Sequence, residues 1–295
     1  MQDLFRSAYG RELGNKEFQK KYDTHSLGHA VIGFLAIHRT SGTPAAFYGV
    51  FPVQVTLHGK HVLAAQSGDT MTHQEHRKRG LFVELAKLTL DACKKAGIVF
   101  VFGQPNANSR HGLIHSLRFV HLDNIIRYDL KHRLRSIPFP KLMLRTGNFN
   151  SYLRYAERFL KKRIEAAPAD FSNTLPSTAG KVWRNEHYLA YKNESGKYFL
   201  RFGKLVIWVK LDDVFRIGEI SDYSLLDASL LRTIKRTAFL LGYNTISIYL
   251  NKSVDLPAFM ESFSMKDSEP SCFFYLDEQY YGQNLLLTAA DFDTW

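Results

Sequence analysis

From Ala64 to Phe82 the chain reads Ala-Ala-Gln-Ser-Gly-Asp-Thr-Met-Thr-His-Gln-Glu-His-Arg-Lys-Arg-Gly-Leu-Phe, and no other stretch limits the fold as strongly. Its first part is a strand, its basic middle a tight loop, and the residues after Gly80 the first turn of a helix. Unpaired backbone N–H groups at such a helix start, together with the helix dipole, form an anion site suited to a pyrophosphate. Gly80 lets the backbone approach phosphate without a Cβ in the way.

The segments beyond the loop agree with it. Leu81, Leu85, Leu88 and Ala92 recur at helical spacing, with Lys87, Lys94 and Lys95 opposite and Gly97 as a stop. Ile98 to Phe102 is a short apolar run bounded by glycine, a buried strand. Gly103-Gln104-Pro105-Asn106-Ala107-Asn108-Ser109 then turns into a short helical piece ending at Leu117-Arg118-Phe119.

Arg77-Lys78-Arg79-Gly80-Leu81-Phe82 resembles the Q/R-x-x-G-x-G/A loop of the GCN5-related N-acetyltransferases, the GNAT superfamily. The sixth position holds Phe82 where Gly or Ala is usual, and Arg118 stands where the terminal Gly-Phe pair has its glycine. The resemblance covers roughly residues 20–130. It implies an α/β (α+β) fold, with a mixed, mostly antiparallel sheet flanked by helices. It also implies acetyl-CoA as co-substrate, held by Met71, Thr72, His73, Arg77, Lys78, Arg79, Gly80, Leu81, Phe82, Asn106 and Ser109.

The second half has the same outline. Tyr198 to Phe202 and Leu205 to Leu211 form a hairpin, Val214 to Ser221 a strand, Leu225 to Leu241 a helix, Thr245 to Leu250 a strand and Cys272 to Leu276 a last strand. No Arg-x-x-Gly-x loop follows Glu219 to Tyr223. With 295 residues, about two domains of ~150 residues are expected. We therefore expect an acetyl-CoA-binding GNAT domain over 1–134, closed by a strand from Asn124 to Leu130. A linker with an amphipathic helix spans 135–180, and a degenerate GNAT-like domain over 181–295 shapes the acceptor site.

Alternation along the strand puts Ser67, Asp69 and Met71 on one face and Gln66, Gly68 and Thr70 on the other. In the superfamily an acidic residue on this strand often serves as base; Asp69 matches that position, and a cap for the following loop is its other reading. The superfamily's usual acid, a Tyr shortly before the Gly-Phe pair, falls on Ile114, so that carry-over fails; His115, beside it, is the alternative proton shuttle. Asp291 and Asp293, in a tail that runs Asp-Phe-Asp-Thr-Trp, are further candidates to face an amine or sugar hydroxyls. Tyr22, Asp23, Gln66, Ser67, Trp183 and Arg184 are candidates for the acceptor side.

The formal net charge of +11 suggests anionic partners. The first domain and the Asp-Phe-Asp tail resemble GNAT proteins associated with bacterial surface-polysaccharide synthesis, which implies a nucleotide-linked amino sugar as acceptor. Transfer of an acyl or aminoacyl group to a peptide or protein amine remains open, as does a non-catalytic nucleic-acid-binding protein using the basic region from Lys131 to Arg163. Two cysteines give no disulfide framework. The polar N-terminus is no signal peptide, and no apolar run approaches the ~18 residues of a membrane span. A cytoplasmic enzyme without a metal is expected; His73/His76 and His111/His115 are pairs without a third ligand.

Overall fold

The computed structural model describes all residues except 11, 13, 133–136, 173, 176, 256, 257, 293 and 294. In chain order, the first elements are α1 (Gln2–Tyr9), α2 (Asn15–Tyr22), β1 (Ile32–Ile37), β2 (Pro44–Leu57), β3 (Lys60–Thr72), α3 (Leu81–Lys95), β4 (Phe100–Gly103), α4 (Ala107–His111) and β5 (Val120–Lys131). Then come α5 (Phe139–Arg145), α6 (Phe149–Leu160), β6 (Ile164–Glu165), β7 (Gly180–Val182), α7 (Glu186–Lys192), β8 (Lys197–Phe202) and β9 (Leu205–Leu211). The last are β10 (Phe215–Ile220), α8 (Ala228–Leu240), β11 (Thr245–Asn251), β12 (Ser264–Tyr275) and β13 (Leu285–Leu286).

Two compact units result. The first holds residues 1–123, 179–183 and 269–285; the second holds 124–178, 184–268 and 286–295. This division differs from the expected boundaries at 134 and 180: the segment from 135 to 178, expected as a linker, is part of the second unit.

In the first unit β2 is the spine. It pairs antiparallel with β1 at its start, with β7 near its end, and with β3 along its length. Alternation decides which side chains go where. Ala46, Tyr48 and Val50 face α3 and join Leu85, Ala86, Leu90 and Cys93 in the main core. Phe47 points to the other face and packs with Leu4, Phe5 and Met71 against α1. The Thr89 hydroxyl of α3 donates to its own helix at Leu85 O (2.8 Å) and to Tyr48 O (3.3 Å), so a polar side chain is buried at no unpaired cost.

The helix α3 makes the crossover that a parallel pair needs, and β4 lies parallel to β3 through Ala65–Val101 and Gln66–Phe102. β12, from late in the chain, pairs antiparallel with β4 through Cys272–Gly103 to Tyr275–Phe100.

The second unit repeats this plan. β8, β9 and β10 form an antiparallel run; α8 then crosses over to β11, which lies parallel to β10. β5 completes it, antiparallel to β11 from Thr245–Lys131 to Asn251–Ile125. Thus each unit takes its closing strand from the other half of the sequence. The strand expected to close the first domain, Asn124 to Leu130, pairs instead with β11, and the last strand, from Cys272 on, pairs with β4. A sequence shows that a strand exists; the partner is chosen by packing of the whole chain.

Candidate active site

β3 and β4 part early. Their pairing ends at Gln66 and Phe102, while β3 continues through Ser67 to Thr72 and β4 stops at Gly103. A bulge marks the parting: Gly49 pairs with Gly68 and Phe47 with Met71, so Asp69 and Thr70 together oppose Tyr48 alone. Asp69 carries the kink at φ 50, a left-handed conformation that aspartate tolerates better than most residues.

The bulge overturns the expected alternation. Ser67 turns to the α3 face, where its Oγ lies 2.8 Å from Tyr48 Oη; burial pushes that phenol well above its ordinary pKa. Met71 packs in the opposite cluster with Leu4 and Phe5. Asp69 sits with Met71's face: its carboxylate accepts from Lys21 Nζ at 2.7 Å and from Tyr22 Oη at 2.8 Å, both on α2. Its side chain is 4% exposed, and both oxygens are engaged. Lys21 was not among the expected site residues; its place beside Tyr22 in the last turn of α2 was the available sign. Asp23 follows at the end of α2 and is exposed. Gln66 is buried.

Past Thr72 the chain turns through a short 3-10 turn at Gln74–His76 to Gly80, which has φ 76 and precedes α3. No side chain caps this helix start, and nothing lies within 4 Å of the position a Gly80 Cβ would take. Val83 and Glu84 donate back to Gly80 O, whereas among the described residues the N–H groups of Lys78, Arg79, Gly80, Leu81 and Phe82 find no acceptor. Arg77, Lys78 and Arg79 are exposed, and none forms an ion pair among the described residues. Partial desolvation, then the positive charge of Arg79 and the neighbouring His38, hold the His76 imidazole below its usual pKa. The His73 N–H donates to Ala45 O at 2.9 Å.

Phe82 is accommodated by a glycine. Its ring stands edge-on to Tyr48 at 5.7 Å and fills the space that a Cβ on Gly112 would need. The ring therefore points into the core beneath α3. At the end of β4, Gln104 Nε2 is buried and has no acceptor among the described residues.

Asn106 caps α4, accepting from Asn108 N (3.0 Å) and Ser109 N (3.1 Å), and Ser109 Oγ points back to it. His115 stands exposed on a π-helical turn, its ring 4.7 Å from His111. Trp183 stacks on His61 at 3.9 Å, at the start of β3, about 35 Å along the strand from the loop after Thr72. That distance removes it from a site at Gly80. Arg184 and Asp291 are buried in the second unit: Arg184 Nε and Nη2 reach Asp291 at 2.9 and 2.6 Å, and Nη1 reaches Glu219 at 2.5 Å. Both are structural partners of each other rather than groups that face an acceptor. Asp293 lies outside the described residues.

The second unit has the same opening but fills it. β10 leaves β11 after Ile217, again at a bulge, here Gly218. The indole of Trp295 occupies the space of a Gly218 Cβ and packs edge-on to Trp208 at 5.6 Å. The helix that corresponds to α3 is capped: Asp227 accepts from Leu230 N at 2.7 Å. A carboxylate there takes up the free amides and repels phosphate.

Residues 1–112 match the acetyltransferase (GNAT) domain. The chain thus carries a GNAT acetyltransferase domain. Over nearly the whole chain its fold is similar to those of solved acetyltransferases. A probable N-acyltransferase from Enterococcus faecalis aligns over 95% of this chain and 70% of its own, with a TM-score of 0.58 at 15% identity. The GCN5-related N-acetyltransferase of Kribbella flavida aligns over 94% and 68%, with 0.54 at 12%. That of Anabaena variabilis aligns over 93% and 69%, with 0.54 at 9%. No curated protein matches the chain in sequence. Among the described residues no helix is long and apolar enough to cross a membrane, and no cluster of three or more His, Cys, Asp or Glu suits a metal ion.

The residues fit the donor that such a domain takes. Among the described residues, residues 78–82 offer a run of free N–H groups, with exposed cations around them, the Phe82 ring turned toward Gly112, and a buried donor without an acceptor at Gln104 Nε2.

Proposed function

We propose that this protein transfers the acetyl group of acetyl-CoA to an amine, and that the acceptor is a nucleotide-linked amino sugar used in surface-polysaccharide synthesis. The observation that carries the donor half is the uncapped start of α3, where the N–H groups from Lys78 to Phe82 are free behind Gly80. They would hold the diphosphate, with Arg77, Lys78 and Arg79 adding charge. Gln104 would meet an amide of the pantetheine arm, and the β3 edge around Met71 and Thr72, left open by β4, offers the amide donor for the thioester oxygen.

Acetyl-CoA supplies the activated acyl carbon. The protein's part is to hold two reactants together, worth up to ~7–11 kcal/mol in favourable cases, and to donate one backbone hydrogen bond to the developing oxyanion, worth about 3 kcal/mol. The attacking amine must be neutral and sheds a proton to water or a nearby group. With both oxygens engaged, Asp69 serves here to fix Lys21 and Tyr22 at the acceptor side. The net charge of +11 favours an acceptor that carries phosphate. The second unit, whose own opening is filled by Trp295, contributes no second donor site.

The test is thiol release from acetyl-CoA against a panel of nucleotide-linked amino sugars, free amino sugars and lysine peptides. Turnover with a nucleotide-linked sugar supports the whole reading. Turnover with the peptides alone keeps the donor half and replaces the acceptor; no release with any amine, and no affinity for CoA, ends both.

A further inference from the structure

In the second unit, α5 and α6 leave a surface that the transfer reaction does not use. Only Pro140 of α5 is buried, seated with Phe139 against Gly242 at the end of α8. Ile137, just before the helix, is 78% exposed, Leu142 is 51% exposed, and Leu144 is also exposed. On α6, Tyr152, Leu153, Ala156 and Leu160 face inward, while Tyr155 and Phe159 stand out on one flank. Phe139 joins the two helices, with its ring 6.4 Å from Tyr155, and Tyr155 lies 6.4 Å from Phe159. The three rings therefore form one stripe, and Ile137, Leu142 and Leu144 stand exposed on the segment that carries Phe139.

Cations border it. Lys141 and Arg145 rise from α5, and Arg154 and Arg158 from the next face of α6. Residues 137 to 163 include seven Lys or Arg and one acid, Glu157, which is taken up by Tyr198 Oη at 2.9 Å.

We propose that this surface docks the protein on an anionic lipid bilayer, lying in the interface with the exposed aliphatic and aromatic side chains among the first acyl methylenes and the cations at the headgroups. Exposed aliphatic side chains flanked by Lys and Arg suit that boundary. A polynucleotide would use the cations and the rings but would leave Ile137, Leu142 and Leu144 in water, so it suits less of this surface. A second copy across a two-fold axis would set the same cations against each other. The proposal is independent of the acceptor and of acetyl transfer.

The experiment is co-sedimentation of the full chain with phosphatidylcholine vesicles, with and without phosphatidylglycerol, beside a single-stranded RNA titration and light scattering. Binding is expected only when phosphatidylglycerol is present and should fall as salt rises. Lys141→Glu with Arg145→Glu should weaken it at least about tenfold. Leu142→Ser with Leu144→Ser should weaken it comparably, and neither pair should move the thermal midpoint or CoA affinity. No vesicle binding overturns the proposal, as does binding that both variants retain. So does RNA binding without vesicle binding, or a dimer that Leu142→Ser with Leu144→Ser disperses.

Discussion

The ring of Phe82 fills the space that any side chain on Gly112 would claim. Phe82 is the one residue of the loop motif that departs from the family pattern, and Gly112, thirty residues on, is what makes the departure harmless. Gly112→Ala should therefore cost about 1–3 kcal/mol through overpacking. Phe82→Ala with Gly112→Ala should recover part of that loss. Thermal melts of the three proteins decide it; a Gly112→Ala protein with an unchanged midpoint would mean that the ring has room to move.

Gly80 and Asp227 stand at corresponding helix starts, one free and one capped by its own carboxylate. Gly80→Asp would put a carboxylate at the first start as well. Affinity for CoA is expected to fall at least about tenfold, because the new carboxylate repels phosphate. The left-handed φ at this position adds strain of about 1–2 kcal/mol. Gly80→Asn carries the same strain without the charge and should bind better than Gly80→Asp in calorimetric titration. Equal affinities would put the diphosphate elsewhere.

Asp69 holds Lys21 and Tyr22 through both oxygens. Asp69→Asn should raise the acceptor KM and lower the melting temperature while kcat changes less than about tenfold. A loss in kcat of about a hundredfold or more at unchanged KM would instead make the carboxylate the proton acceptor.

Arg184 is fully buried between Asp291 and Glu219. Arg184→Met would leave two buried carboxylates without the cation they share and should cost about 3–5 kcal/mol. Arg184→Met with Asp291→Asn and Glu219→Gln should recover much of it, since neutral groups remove the uncompensated charge. Denaturant midpoints measure both; a single variant as stable as the original would show that water reaches this network.

Burial pushes the Cys93 thiol up to about 12 and that of Cys272 to about 11. Both therefore stay protonated at pH 8, where a thiol-reactive chromophore is used to follow CoA release. The native protein should give no fast labelling at that pH, and should label two thiols after denaturation. Fast labelling of the folded protein would show that one of them is reached by solvent.

Local information was enough for the strand, loop and helix around Gly80, because a positive-φ glycine before an apolar 3.6-residue pattern has few other solutions. The repeat of hairpin, helix and strand in the second half was legible for the same reason. The facing of Ser67 and Asp69 was not, since a bulge adds one residue and reverses every side chain beyond it. Nor were the roles of Arg184 and Asp291: a charged pair over a hundred residues apart becomes a buried salt bridge only when the chain has brought its ends together.

The sequence by itself determined most of the strands and helices and the tight glycine turn before α3, because those depend on backbone sterics and on neighbours a few residues apart. Only the tertiary structure decided that β5 pairs with β11 and β12 with β4, that Gly112 gives way to Phe82, and that Trp295 fills the opening at Gly218. Those choices rest on close packing between distant parts of the chain, and close packing leaves no local signature in the sequence.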